Sequence, residues 1–157
     1  MKKRTIPVLD TIPEYASWVE VAKTYDKCQR LLSERLAPFE LSIARYEVLL
    51  AVARDEGLSQ RGLGERLLSA KSNVTALCQR LERADLIRRE VDPNDARGHC
   101  VFLTRRGQSL VRQAAAAQAS VVRLMMEGFR VEEARTMGHV MKRVGQNLDA
   151  ALAEGTA

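Results

Sequence analysis

The chain has 157 residues, of which 46% are apolar, 29% charged and only 4% aromatic, and it carries a net charge of +5. That is the composition of a core-forming globular protein rather than a disordered or fibrous one. Its apolar runs, such as Val48 to Ala53, are far shorter than the roughly 18 residues that suggest a membrane span, and the basic start Met1–Arg4 runs into Pro7, Asp10 and Pro13 instead of a secretory core; a cytoplasmic protein without a membrane partner is expected.

Residues 1–13 read as a ragged start. From Glu14 to Leu36 the residues Trp18, Ala22, Tyr25, Leu32 and Leu36 fall at helical spacing, which predicts a long first helix closed by Pro38. Ser42 is placed to cap a second helix reaching Arg54, with Ile43, Tyr46, Leu49, Leu50 and Ala53 on its apolar side and Gly57 past its end. After a short break, Ser59 caps a third helix to Leu68, with Leu58 and Leu63 as a hydrophobic staple. Gly62 and Gly64 inside it should each cost about 1 kcal/mol relative to Ala; close packing by a neighbouring helix is expected at Gly64, and the sequence offers no reason for Gly62.

A fourth helix, Ala70 to Ala84, places Val74, Leu77, Cys78 and Leu81 on a narrow apolar stripe. Ser72, Thr75, Ala76, Gln79 and Arg83 turn to the opposite side, a small, polar and basic face without Asp or Glu. Ile87–Val91 and Cys100–Thr104 are β-prone runs, and the turn formers between them, Asp92 to His99, predict a hairpin with a long tip. Thr104 then caps a fifth helix marked by Leu110, Ala114, Ala117, Val121 and Leu124, which Gly128 ends or bends. A sixth helix runs from Glu132 to Leu152, with Met137, Met141, Val144, Leu148 and Leu152 on one face.

The charge is not evenly spread. Residues 59–112 hold eleven Lys/Arg against six Asp/Glu, which accounts for the whole excess of +5. A basic middle third between neutral flanks suits a chain whose centre meets a polyanion. No Gly-rich phosphate loop, nucleophile elbow or placed pair of carboxylates suggests an enzyme. Cys28, Cys78 and Cys100 form no CxxC pair and the two histidines, His99 and His139, no ligand cluster, so neither a metal nor another cofactor is expected.

Two short helices across a tight turn, followed at once by a hairpin, give the order of a winged helix-turn-helix: a mainly α fold with a small β-hairpin wing (α+β). From Leu41 to Gly107 the chain resembles the MarR family of bacterial transcriptional regulators. The matching words are LLSAKSNVTALCQRLE (Leu67–Glu82) and ADLIRREVDPNDARGHCVFLTRRG (Ala84–Gly107), against family patterns SxSxVTxLVDRLE, GLVxRxxxPxDxR and LTxxG. Ala70 stands where the family usually has Ser, Gln79 where it has Asp, and Ala84-Asp85 at a position commonly ending in Gly.

The resemblance implies that the fourth helix enters the DNA major groove, with Lys71, Ser72, Asn73, Thr75 and Gln79 in contact and Arg80 reaching phosphate or bracing the wing. Arg83, on the same outer face, can bond a base edge or phosphate. Asp95 and Arg97 match the family's wing-tip Asp-x-Arg, where Arg enters a minor groove whose narrowness concentrates negative potential. It further implies one continuous domain in which 14–40 and 108–157 form dimerisation helices around a DNA-binding lobe, 41–107. The apolar stripes of the first, fifth and sixth helices exceed what that lobe covers, and a second protomer is the economical partner. Two recognition helices about 34 Å apart then require an inverted-repeat operator.

The expected function is thus a DNA-binding regulator, acting as a repressor, whose affinity a small molecule modulates. Tyr15, Trp18, Tyr25 and Tyr46 are the candidates to line a cleft for a phenolic or other aromatic effector. Two alternatives stay open: redox sensing through Cys28, which lies beside Lys27 and Arg30, and a winged-helix protein adaptor that does not bind DNA. Cys78, in an apolar stripe, is expected to be inert, and Cys100, beside His99, is a weak redox candidate.

Overall fold

Three hydroxyl side chains set helix starts as expected. In the computed structural model, which describes residues 7–67, 73–92 and 95–154, Arg45 N donates to Ser42 Oγ at 3.3 Å, Gly62 N to Ser59 Oγ at 3.1 Å and Gly107 N to Thr104 Oγ1 at 3.0 Å. Each satisfies one of the amide donors that a helix start leaves without a partner.

The chain order is α1 (Pro7–Asp10), α2 (Tyr15–Leu36), a 3-10 turn (Ala37–Phe39), α3 (Ile43–Arg54), β1 (Leu58–Ser59), α4 (Gln60–Arg66), α5 (Val74–Arg83), β2 (Ile87–Asp92), β3 (Asp95–Leu103), α6 (Arg105–Met125) and α7 (Val131–Glu154). The fold is the expected mainly helical one with a small sheet. Besides the 3-10 turn, two elements were not foreseen. The four-residue α1 falls in the segment read as ragged. Leu58 and Ser59 form a strand opposite Val101 and Cys100, where a break was expected; two residues are too few to show a period of two.

The described residues divide into two compact units, one ending at Val121 and the other beginning at Val122. The first holds one core. Leu36, Tyr46, Val48, Leu49, Val52, Leu63, Leu81 and Val101 are essentially inaccessible within it. The apolar side expected of α3 needs correction, since Val48 and Val52 are buried and Ala53 is exposed. The cause is position: α3 is packed by α2, α4, α5 and β3, and a helix covered on several sides loses its single stripe.

The hairpin differs as well. β2 and β3 pair from Ile87↔Leu103 to Val91↔His99, and then Asp92 pairs with Asp95. The tip expected to span Asp92 to His99 is therefore mostly strand, with only 93 and 94 between β2 and β3. Residues 96–98 on β3 have no partner opposite, which is the signature of a bulge. Turn-forming composition favours loops, but it does not forbid an extended backbone that another strand can pair.

Two reversals use left-handed residues other than glycine, Glu40 at φ 55° and Asp85 at φ 56°. At the second, Leu86 N donates to Leu81 O and Asp85 N to Glu82 O, both at 2.9 Å, closing α5 in a Schellman turn whose flanking leucines are both buried. This fits the position at which the resembled pattern has Gly: the backbone there is left-handed, and Asp is among the side chains that tolerate it best. Gly62 shows no comparable need, because a Cβ there would make only ordinary contacts with Ser59 and Leu58 at 3.4 Å or more.

Candidate nucleic-acid interface

The centre of the site is α5. Val74, Leu77, Cys78 and Leu81 are buried, so a rotation of 100° per residue turns Thr75, Gln79, Arg80 and Arg83 outward, and all four are exposed. Arg83 Nε donates to the Gln79 carbonyl at 3.3 Å, laying its guanidinium along the helix. Asn73 is exposed at the start of α5. Lys71 and Ser72 lie outside the described residues.

The one acid of α5, Glu82, does not interrupt this face. Its carboxylate turns toward β2 and takes three hydrogen bonds from Arg89: from N at 3.2 Å to Oε1, and from Nε at 2.9 Å and Nη2 at 2.5 Å to Oε2. Bonding to the Arg89 side chain holds the Glu82 carboxyl below its ordinary value, so it stays ionised and engaged. This brace between helix and hairpin was not singled out in the sequence. Arg80, expected to reach phosphate or brace the hairpin, points to solvent, and Arg89 is the residue that braces.

On the hairpin, Arg88 lies 4.4 Å over the Phe102 ring and pairs with Glu90. The backbone of Asp95 and Arg97 belongs to β3 at the bulged end; their side chains lie outside the described residues. Arg66 pairs with Asp55 at 2.7 Å and ties α4 to the end of α3.

The four aromatic residues expected to share an effector cleft are not brought together within the chain. Tyr46 is 1% exposed and donates its hydroxyl to Gln118 Oε1 at 2.7 Å, making it a core residue with one polar link. Tyr15 and Trp18 stack at 5.7 Å between ring centroids, and Trp18 and Tyr25 are exposed on α2. A separate groove of about 250 Å³ lies between the 3-10 turn, α3, the α5–β2 reversal and the start of α6. Arg45, Arg106, Phe39 and Leu110 are among the residues lining it.

The thiols differ in setting. Cys28 is half-buried against the core, whereas burial pushes the Cys78 thiol up to about 11 and also raises that of Cys100. Since the thiolate is the nucleophile, a value of about 11 leaves on the order of one reactive Cys78 in ten thousand at neutral pH. Iodoacetamide followed by peptide mass spectrometry is expected to show Cys28 modified well before Cys78; equal rates would contradict this account. The raised value also makes the fold lose stability as pH climbs from about 9 toward about 11, because the unfolded chain gives up that proton first. Among the described residues, no three His, Cys, Asp or Glu side chains gather as a metal site, and no described helix is long and apolar enough to cross a membrane.

Comparison with known proteins places this geometry. A sequence model described as MarR family matches residues 39–98, a span from the 3-10 turn to the far end of the hairpin bulge. The transcriptional regulator HosA of Escherichia coli O111:H- is 30% identical over 97 residues, covering 59% of this chain and 72% of HosA. The chain belongs to the MarR family. A second relative, the HTH-type transcriptional regulator TtmR of Methylorubrum extorquens, is 40% identical over 75 residues; the match takes in 48% of this chain but only 38% of TtmR. AbsC, a MarR family regulator of Streptomyces coelicolor, superposes with a TM-score of 0.80 at 25% identity, covering 89% of this chain and 97% of AbsC. Sco3205 of the same organism, solved in complex with DNA, also gives 0.80, at 23% identity over 88% of this chain and 89% of its own. The named relatives of this MarR chain are transcriptional regulators, not enzymes.

Proposed function

We propose that the chain acts in the cytoplasm as a homodimeric repressor that binds an inverted-repeat duplex, with residues 41–107 as the DNA-binding lobe and the flanking helices as the dimer contact. One observation carries the reading: the outward side of α5 is basic and polar, and its only carboxylate is drawn away to Arg89. Such a surface meets phosphates without repulsion and offers Thr75, Gln79 and Arg83 to base edges. Arg97, at the bulged end of β3, is assigned to the adjacent minor groove, with Asp95 buttressing the wing; Lys71, Ser72 and Asn73 are assigned to the major groove beside Thr75 and Gln79, and Arg80 to phosphate. Sco3205 and a MarR variant of E. coli were both solved with DNA, the latter with operator DNA, which supports this assignment by fold.

Arg97→Ala is expected to weaken binding to an inverted-repeat duplex by about 1 to 3 kcal/mol, while Lys71→Ala mainly lowers the salt slope by about one. Fluorescence anisotropy at fixed and varied salt measures both. Unchanged affinity in the two variants overturns the assignment.

The effector is assigned to the groove beside Arg45 and Arg106, not to the dispersed aromatic residues. Its volume suits a single-ring ligand, and two guanidinium groups against the one carboxylate of Glu40 leave the lining net positive, which favours a carboxylate or phenolate. PcaV of S. coelicolor, a neighbour with a TM-score of 0.68 at 22% identity, was solved with its natural ligand, which fits regulation by a small molecule.

A further inference from the structure

The wing hairpin leaves α5 through the reversal at Ala84–Leu86, and that root is well tied. Thr104 N donates to Leu86 O at 3.1 Å, and Thr104 Oγ1 donates to Asp85 O at 2.7 Å. A single point of attachment still allows a hairpin to swing, whereas two points fix an angle. The second is at Arg89, three residues along β2 and so about 10 Å from the root at roughly 3.3 Å per residue. There the carboxylate of Glu82, one residue before the end of α5, accepts hydrogen bonds from two guanidinium nitrogens and the backbone N–H of Arg89.

We propose that the Glu82–Arg89 pair is a positioning strut that sets the angle between α5 and the hairpin, and that it governs selectivity among duplexes without touching DNA. The inference rests on the DNA-binding reading above. An exposed ion pair contributes little to stability. This one is forked, its side chains are only 36% and 20% exposed, and one of its three bonds comes from the strand backbone. It restricts orientation more than it adds stability. A helix in the major groove and an arginine in the neighbouring minor groove engage together only if their relative angle is held, and an angle held before binding need not be ordered during it.

Electrostatics alone predicts the opposite result. Neutralising Glu82 makes the lobe more positive and should strengthen binding to every duplex. Loss of the strut should instead weaken the selected duplex and spare random ones. The test uses the full chain, with the tightest duplex that the parent protein recovers from a randomised pool and a scrambled duplex of the same length.

For Glu82→Gln, which keeps shape and a hydrogen-bonding group, the affinity ratio between the two duplexes is expected to fall about tenfold or more, in line with loss of charge-assisted hydrogen bonds. Scrambled-duplex affinity should hold or rise. Arg89→Lys, which keeps charge but not the fork, should fall between parent and Glu82→Gln. Hydrogen exchange without DNA should quicken in β2 and β3 and stay unchanged in α3. An unchanged ratio, or unchanged exchange in the hairpin, overturns the strut while leaving the DNA-binding reading intact. A parent protein that prefers no duplex overturns both, and the exchange result then reports the strut's mechanics separately.

Discussion

Gly107→Ala is expected to destabilise the fold by about 3 kcal/mol or more, the upper range for forcing atoms into a packed site. A Cβ at Gly107 would lie 1.9 Å from Leu86 O and 2.9 Å from its carbonyl carbon, and both are backbone atoms that cannot rotate away. Relief requires moving either the first turn of α6 or the α5–β2 reversal. The first is held by Thr104 Oγ1, which accepts from Gly107 N while donating to Asp85 O. The second is held by the Schellman turn that ends α5. The glycine in the LTxxG word thus marks a point where helix and turn backbones touch. Urea and thermal unfolding measure the effect, with a drop in Tm of about 6 to 12 °C for a chain of this size. A variant as stable as the parent would show that the two backbones part without cost.

Met141→Glu combined with Val144→Glu is expected to convert dimer to monomer. No residue of α7 is buried in the single chain, yet Met137, Met141, Val144, Leu148 and Leu152 lie on one face at helical spacing. A row of exposed aliphatic side chains of this length is uncommon on a monomer and marks a contact surface. Two carboxylates in it would lose their hydration whenever a second copy docked. With two-point attachment gone, affinity for an inverted-repeat duplex should fall at least about a hundredfold, the usual gain from linking two binding modules. Sedimentation velocity reads the first effect and anisotropy the second. A variant that still sediments as a dimer would place the contact elsewhere.

The parts of this molecule that were legible in the sequence are those specified locally. Ser42, Ser59 and Thr104 announced helix starts through their own hydrogen bonding, and the 3,4 spacing of Val74, Leu77, Cys78 and Leu81 announced which side of α5 is buried. What escaped depends on pairings between separate elements. β1 exists only because Leu58 and Ser59 meet Val101 and Cys100. Glu82 and Arg89 meet across a helix end and a strand, so their pairing needs the strand register. Tyr46 looked like a cleft residue because aromatic side chains often line clefts; its burial follows from the enclosure of α3, which a helical wheel does not report.

The hydroxyl that Tyr46 gives to Gln118 has a consequence for how the first unit moves. It bonds two helices whose residues stand 72 positions apart, and burial raises the phenol above its ordinary value. The proton therefore stays on the oxygen through the whole range in which cells live. Swings in acidity will not unfasten this joint, and α3 and the first four turns of α6 should travel as a single piece whenever the protein flexes.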